Sequence, residues 1–311
     1  MSGPLPVLGP VRQVAAGVLD VGVVELGPPD GAPVLLLHGF PYDVHSYVDV
    51  APQLAATGHR VVVPYLRGHG PTRFRDRATP RSGQQAALGQ DVIDLLDALG
   101  LERAVLAGYD WGGRAACVAA ALHPERVTGL VSVNGYLIQD IRGSMHPLPP
   151  ATEAGLWYFF YFLTERGRAG LEADRRGIAE VIRRRNAPTL PFDAADLDRA
   201  VAAFDNPDWV DVVLHSYRHR LNHVDGAPAY LRAEGALAAL PPIPVPAVTL
   251  DGLADGNFPA TDGAAQAAHF TGPRVHRQVP DAGHELPREA PEAFAAAVEE
   301  VERLATAAAA A

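Results

Sequence analysis

A single cysteine, Cys117, leaves this chain unable to close an intramolecular disulfide. It also lacks any uncharged apolar run near the ~18 residues that a membrane span requires. The apolar, aromatic stretch 149–162 is too short and is interrupted by Glu153. Lysine is absent, no block of like charges occurs, and the formal net charge is −10. Phosphate binding needs clustered Lys and Arg, so nucleic acid is excluded as a partner. No group of His, Cys, Asp or Glu has metal-ligand spacing, and neither a metal nor an organic cofactor is expected. The N-terminus, Met1-Ser2-Gly3-Pro4, has no basic patch followed by an apolar run, so no signal peptide is expected. These absences point to a cytoplasmic protein with a small-molecule partner and no membrane contact; a homodimer is left open.

What is present is a chain of 311 residues, 48% of them hydrophobic, enough for a sizeable core. Unbroken apolar runs at 34–37, 60–64, 104–107, 129–133 and 247–250 read as strands buried on both faces, with a weaker one at 274–279. Helical spacing over 84–99, 112–122 and 289–304 alternates with them. The pattern predicts a mostly parallel sheet flanked by helices. It breaks between about 135 and 241, where the chain turns aromatic, Arg-rich and helical. The expected organisation is therefore a core over 1–136, a helical lid insertion over 137–240 and the rest of the core over 241–311. Such a lid would cover the carboxyl ends of the strands, where these sheets carry their sites.

The segment Gly108-Tyr109-Asp110-Trp111-Gly112 follows a buried strand and opens a helix. A strained strand-turn-helix with glycines two residues either side lifts its central side chain above the sheet. The centre is usually Ser; here it is Asp110. A carboxylate needs no base to attack a saturated carbon that carries a leaving group. The resulting ester must then be cleaved by water, which does need a base. The competing reading is an Asp that caps the helix behind it.

Of the twelve histidines, His284 follows the last strand and precedes the last helix, the place of the third triad member. Asp255, in the loop after the penultimate strand, would orient it and balance its charge. Asp251 is the rival, with a turn as its alternative role. The amides of Phe40, in His38-Gly39-Phe40-Pro41, and of Trp111 are the candidate oxyanion donors. His38 either organises this loop or lies against substrate.

Together, His-Gly-Phe-Pro, Gly-Tyr-Asp-Trp-Gly-Gly and Gly-His-Glu-Leu-Pro resemble the α/β-hydrolase fold, in its epoxide hydrolase and dehalogenase branch. The resemblance runs from about Val23 to Leu304. For an epoxide hydrolase it implies two lid tyrosines that bind the ring oxygen. These align with Tyr158, or Tyr161 as fallback, in Trp157-Tyr158-Phe159-Phe160-Tyr161-Phe162, and with Tyr217 in His215-Ser216-Tyr217-Arg218. Trp157, Tyr161 and Arg114 join His38 as candidate substrate contacts. For a haloacid dehalogenase the resemblance implies arginines that hold a carboxylate; Arg114 matches one, while Trp111 stands in place of the other. For a haloalkane dehalogenase Trp111 fits, with Trp157 or Trp209 as the second halide donor. The run Ser216-Tyr217-Arg218-His219-Arg220 is more basic than an epoxide pocket needs, and implies an anionic substrate or salt bridges to acidic neighbours. A ligand-binding protein without turnover is the remaining alternative.

Overall fold

The computed structural model describes residues 8–310. The segment Met1 to Pro4, read above for a leader, lies outside them. Among the described residues no helix is long and apolar enough to cross a membrane.

Nine strands form one sheet: β1 (Val11–Ala16), β2 (Leu19–Leu26), β3 (Ala32–Leu37), β4 (His59–Pro64), β5 (Arg73–Phe74), β6 (Ala104–Gly108), β7 (Val127–Val133), β8 (Ala247–Gly252) and β9 (Arg274–Val279). Their order is β1-β2-β4-β3-β6-β7-β8-β9, with β5 paired to β2. From β4 through β9 every pairing is parallel. Each apolar run of the sequence became one of these parallel strands, because a strand covered by helices on both faces has no polar side to show.

The sequence reading missed the antiparallel strands β1, β2 and β5. β1 is an edge strand with most of its side chains in solvent, so its apolar signal is thin. The helices Gln85–Ala98 and Asp110–Leu122 pack together, as do Val50–Ala56 and Pro291–Ala309.

Between β7 and β8 the described chain is helical, from Pro150–Gly155 through Trp209–Arg220 to Leu231–Leu237, with no strand. The helix Trp209–Arg220 is buried along most of its length. It lies so close to the core loops that a Cβ on Gly83 would strike the Val212 carbonyl. Parallel strands deliver their following loops to one edge of the sheet. The segments after β3, β6, β7, β8 and β9 therefore meet beneath this helical insertion.

Candidate active site

The turn after β6 is built by exclusion of side-chain volume. A Cβ on Gly112 would collide with the Leu37 carbonyl of β3, and one on Gly108 with the Gly112 backbone. The helix begins at Asp110, one residue before Trp111, where the sequence set its start. Asp110 itself has φ +49°, a left-handed conformation that non-glycine residues rarely hold. Its carboxylate does not cap the helix, which corrects the capping alternative: the cap position is Tyr109, without a side-chain bond. Oδ1 of Asp110 instead accepts the Phe40 amide at 2.8 Å, and Oδ2 faces His284 Nε2 at 3.5 Å.

His284 sits in the loop after β9 and is 1% exposed. Its Nδ1–H donates to Asp255 Oδ2 at 2.9 Å. Asp255, after β8, is fixed in turn: its Oδ1 accepts the Asn257 and Phe258 amides at 2.7 and 2.9 Å, and Asn134 Nδ2 donates to Oδ2 at 3.2 Å. The rival Asp251 is turned elsewhere and accepts from the amide and hydroxyl of Thr261. Burial disfavours charge on His284, but Asp255 and Asp110 outweigh it and raise the imidazole pKa to about 10. Burial likewise opposes charge on Asp110, and the bond and charge of His284 with the Phe40 amide bring that carboxyl below its ordinary value. The resting pair is therefore an imidazolium beside a carboxylate.

Aromatic rings enclose the carboxylate, whose side chain is 11% exposed. Tyr158 and Tyr217 come from two insertion helices, with ring centres 5.5 Å apart. Phe40 lies 6.3 Å from Tyr158 and 5.4 Å from Tyr217, and Trp111 lies 6.0 Å from Tyr217. Burial, reinforced in both by neighbouring negative charge including that of Asp110, raises the two phenols, so both hydroxyls keep their protons.

Three candidate substrate contacts need correction. Tyr161 turns away and packs against Trp157, Phe162 and Gly170. Trp157 packs its ring against Tyr158 and Tyr161. On this short helix it is Tyr158 whose hydroxyl feels the charge of Asp110. His38 is wholly buried with both ring nitrogens engaged, Nδ1 with the Gly39 carbonyl and Nε2 with the Leu66 amide. Burial, with the neighbouring His69, lowers its pKa to about 3 and keeps it neutral, so it organises the loop. Trp209, offered as a halide donor, gives its indole N–H to His69 Nε2 at 3.3 Å. Arg114 stands one helical turn beyond Asp110 and donates to Gln139 Oε1 at 2.9 Å. The Trp111 amide lies in the first turn, where helix amides lack an intrahelical carbonyl.

Residues 32–290 match the family described as alpha/beta hydrolase fold. The chain belongs to that family. A crystal structure from Klebsiella pneumoniae, provisionally named an epoxide hydrolase, is 47% identical, covers 94% of this chain and 97% of its own, and superposes with a TM-score of 0.92. Epoxide hydrolase B of Mycobacterium tuberculosis is 35% identical over 173 residues, 50% of this chain and 48% of that protein. The chain thus spans about half the length of that curated relative. The magnesium-chelatase 30 kDa subunit of Rhodobacter capsulatus is 29% identical over 286 residues, covering 90% of this chain and 91% of that one. Full-length likeness therefore extends beyond proteins named for epoxides, and the site must carry the choice of chemistry.

Some residues of this site escaped the sequence reading or were only half seen by it. Asn134, which steadies Asp255, follows β7 with no motif around it. Gln139 spans the wall, accepting from Arg114 and donating to the Arg220 carbonyl at 3.0 Å. Arg220 carried a usable signal: it lies three residues after Tyr217, on the same helical face.

Proposed function

We propose that this hydrolase opens an epoxide to a diol through a covalent ester on Asp110. The observation that carries the reading is one carboxylate held between an amide and an imidazole, beneath two protonated tyrosines. An epoxide's leaving oxygen stays attached and gathers charge, so it needs a proton donor close by. Tyr158 and Tyr217 suit that task. Oδ2 of Asp110 attacks a ring carbon, the C–O bond breaks, and a tyrosine proton passes to the alkoxide. Oδ1, held by the Phe40 amide, becomes the ester carbonyl oxygen.

Ester formation removes the charge on Asp110, and with it part of what holds the proton on His284. The imidazole can then release that proton, which restores the tyrosine, and take one from water. Water adds to Cγ of Asp110 while the Phe40 amide, with Trp111 as the second donor, stabilises the oxyanion. The collapse of that adduct frees the diol and returns the carboxylate. Asp255 keeps the imidazole oriented throughout.

The haloalkane reading has less support. Phe40 offers no polar side chain to a halide, and the Trp209 indole N–H is already engaged with His69. The deciding experiment is a single turnover in heavy-oxygen water with a panel of epoxides, haloalkanes and haloacids. Label entering the Asp110 carboxylate before the diol supports the ester route. Label appearing first in the diol, or turnover that persists in Asp110→Ala, overturns it.

A further inference from the structure

Cleavage of an ester by water asks for more than a base. Water carries two hydrogens, and His284 Nε2 can take only one of them. The second O–H stays on the attacking oxygen. In a site mostly closed to solvent it needs an acceptor, or the water is neither aimed nor satisfied. The surroundings offer few. Phe258 and Tyr109 pack rings beside His284, with centres 5.7 and 6.2 Å away. Phe258 has no polar group, and the Tyr109 hydroxyl is bonded to Ser46 at 2.7 Å. Asp255 is engaged with the other ring nitrogen of the imidazole.

Among the described residues two buried side-chain oxygens have no hydrogen-bond partner, Oδ1 of Asn186 and Oδ1 of Asn257. Asn186 donates from Nδ2 to the Tyr42 hydroxyl at 3.2 Å, and its main-chain carbonyl accepts the amides of His284 and Gly256 at 3.1 and 3.2 Å. The Arg183 guanidinium lies 5.1 Å from the Tyr42 ring centre and also bonds Glu285. The Asn186 side chain therefore belongs to this cluster behind the imidazole loop.

Asn257 is placed otherwise. It is 6% exposed and lies two residues after Asp255, in a turn that cannot slide. Asp255 Oδ1 accepts its amide at 2.7 Å, and a Cβ on Gly256 would strike the Arg185 carbonyl. The Asn257 side chain reaches the Tyr158 hydroxyl and pulls down a phenol pKa that burial and Asp110 raise. A group that lowers a phenol's pKa acts as its donor, so Nδ2 faces Tyr158 and Oδ1 is the unpaired end. The amide thus bridges the loop that orients His284 and the tyrosine whose hydroxyl feels Asp110.

We infer that Asn257 is a catalytic residue of ester cleavage, whose Oδ1 accepts the second hydrogen of the attacking water. The inference rests on the proposed ester at Asp110 and adds the group that aims water at it. One O–H bond of the water breaks and its proton passes to His284 Nε2. The other O–H points at Asn257 Oδ1 while the oxygen bonds to Cγ of Asp110. The carbonyl π pair moves onto Asp110 Oδ1, at the Phe40 amide. On collapse the bond from Cγ to the alkyl oxygen breaks and the imidazolium proton goes to that oxygen. The remaining hydrogen then returns to the imidazole and restores the charged pair. A neutral amide suits the task. A carboxylate there would compete for the proton, and an apolar group would leave the O–H without a partner.

The test follows both half-reactions of the intact protein by rapid quench across pH, with styrene oxide and with 1-bromobutane. Either electrophile gives an Asp110 ester, so the water step is read whichever one reacts. Asn257→Leu should slow ester cleavage by roughly 10–100-fold, and more than it slows ester formation. It should lower the plateau of the cleavage profile without moving its midpoint. The loss should persist in a Tyr158→Phe background, which separates it from the tyrosine contact. Asn257→Asp keeps an oxygen in place and should restore part of the plateau, while its negative charge should move the midpoint up. Melting curves show whether each variant is folded; should Asn257→Leu not fold, Asn257→Ala and Asn257→Asp decide. Cleavage at the wild-type rate, equal slowing of both steps, or a moved midpoint under an unchanged plateau in Asn257→Leu overturns the assignment. So does loss of cleavage in Asn186→Ala instead. A wild-type protein that never forms an Asp110 ester refutes the ester reading itself and leaves no step for Asn257 to serve.

Discussion

Asp110 and His284 are separated by 174 positions and three strands in sequence, yet Oδ2 of one and Nε2 of the other stand 3.5 Å apart. At that distance the imidazole proton and the carboxylate hold each other in the charged state. Conversion of Asp110 to the proposed ester would break this mutual support.

His284→Gln should therefore form the ester and fail to release it. With a reactive epoxide, the peptide that contains Asp110 should gain the mass of one substrate molecule. Steady-state turnover should fall roughly 10²–10⁴-fold, the span typical of a lost general base. Mass spectrometry after a short incubation gives the answer, and an unmodified peptide would remove His284 from the ester-cleaving role.

The two half-reactions should respond differently to pH. Attack needs ionised Asp110, whose pKa lies below the ordinary carboxylate value of 3.8, so its rate should stay level from neutral into mildly acidic solution. Ester cleavage needs neutral His284. Its pKa of about 10 in the resting site falls once Asp110 is esterified, but Asp255 still favours the proton. Cleavage should slow as pH drops and recover as pH rises. Rapid-quench measurement of ester and diol separates the two steps, and a flat cleavage profile would count against an imidazole base.

Removing a tyrosine hydroxyl should slow ring opening and leave ester cleavage alone. Tyr217→Phe and Tyr158→Phe should each reduce the alkylation rate, by roughly 10²-fold where one hydroxyl does most of the protonation, and the double variant should lose more than either. Single-turnover kinetics distinguish this from a packing defect, which would alter both steps.

A stability test lies behind the site. Glu285, next to His284 in sequence, is buried and held by Arg183 Nη2 at 3.2 Å and by the Ser46 hydroxyl at 2.7 Å. Arg183→Met leaves this carboxylate without its cation, and about 3–5 kcal/mol should be lost at pH 7. Burial raises the Glu285 pKa, and Arg183 only partly counters it. A carboxyl whose folded pKa is raised binds its proton more tightly when folded, so the penalty should shrink as pH falls toward 4.5. Urea unfolding at several pH values would show this, and a pH-independent loss would assign the effect to packing.

The parallel strands and the glycine-bounded turn were legible because sterics and burial leave few alternatives there. A run such as 34–37 has no polar face, and the collision of a Gly112 Cβ with the Leu37 carbonyl is written into the sequence as an obligatory glycine. Asp255 could be preferred over Asp251 from its distance past the strand. The face of the five-residue helix Trp157–Tyr161 could not be read, since every position is aromatic and periodicity gives no contrast. His38 could be read as an organiser of its loop, but its partners are backbone groups, which no motif records. Arg220 was visible only as part of a basic run. Whether such an arginine meets an acid, as Arg218 meets Glu165, is a property of the tertiary neighbourhood.

The order of strands along the chain has an effect on biosynthesis. Nucleophile and both tyrosines precede β8, whereas Asp255 and His284 follow it. On the proposed chemistry, a polypeptide emerging from the ribosome would thus acquire the group to be alkylated well before the group that frees it. Turnover would then wait until the last two strands have joined the sheet.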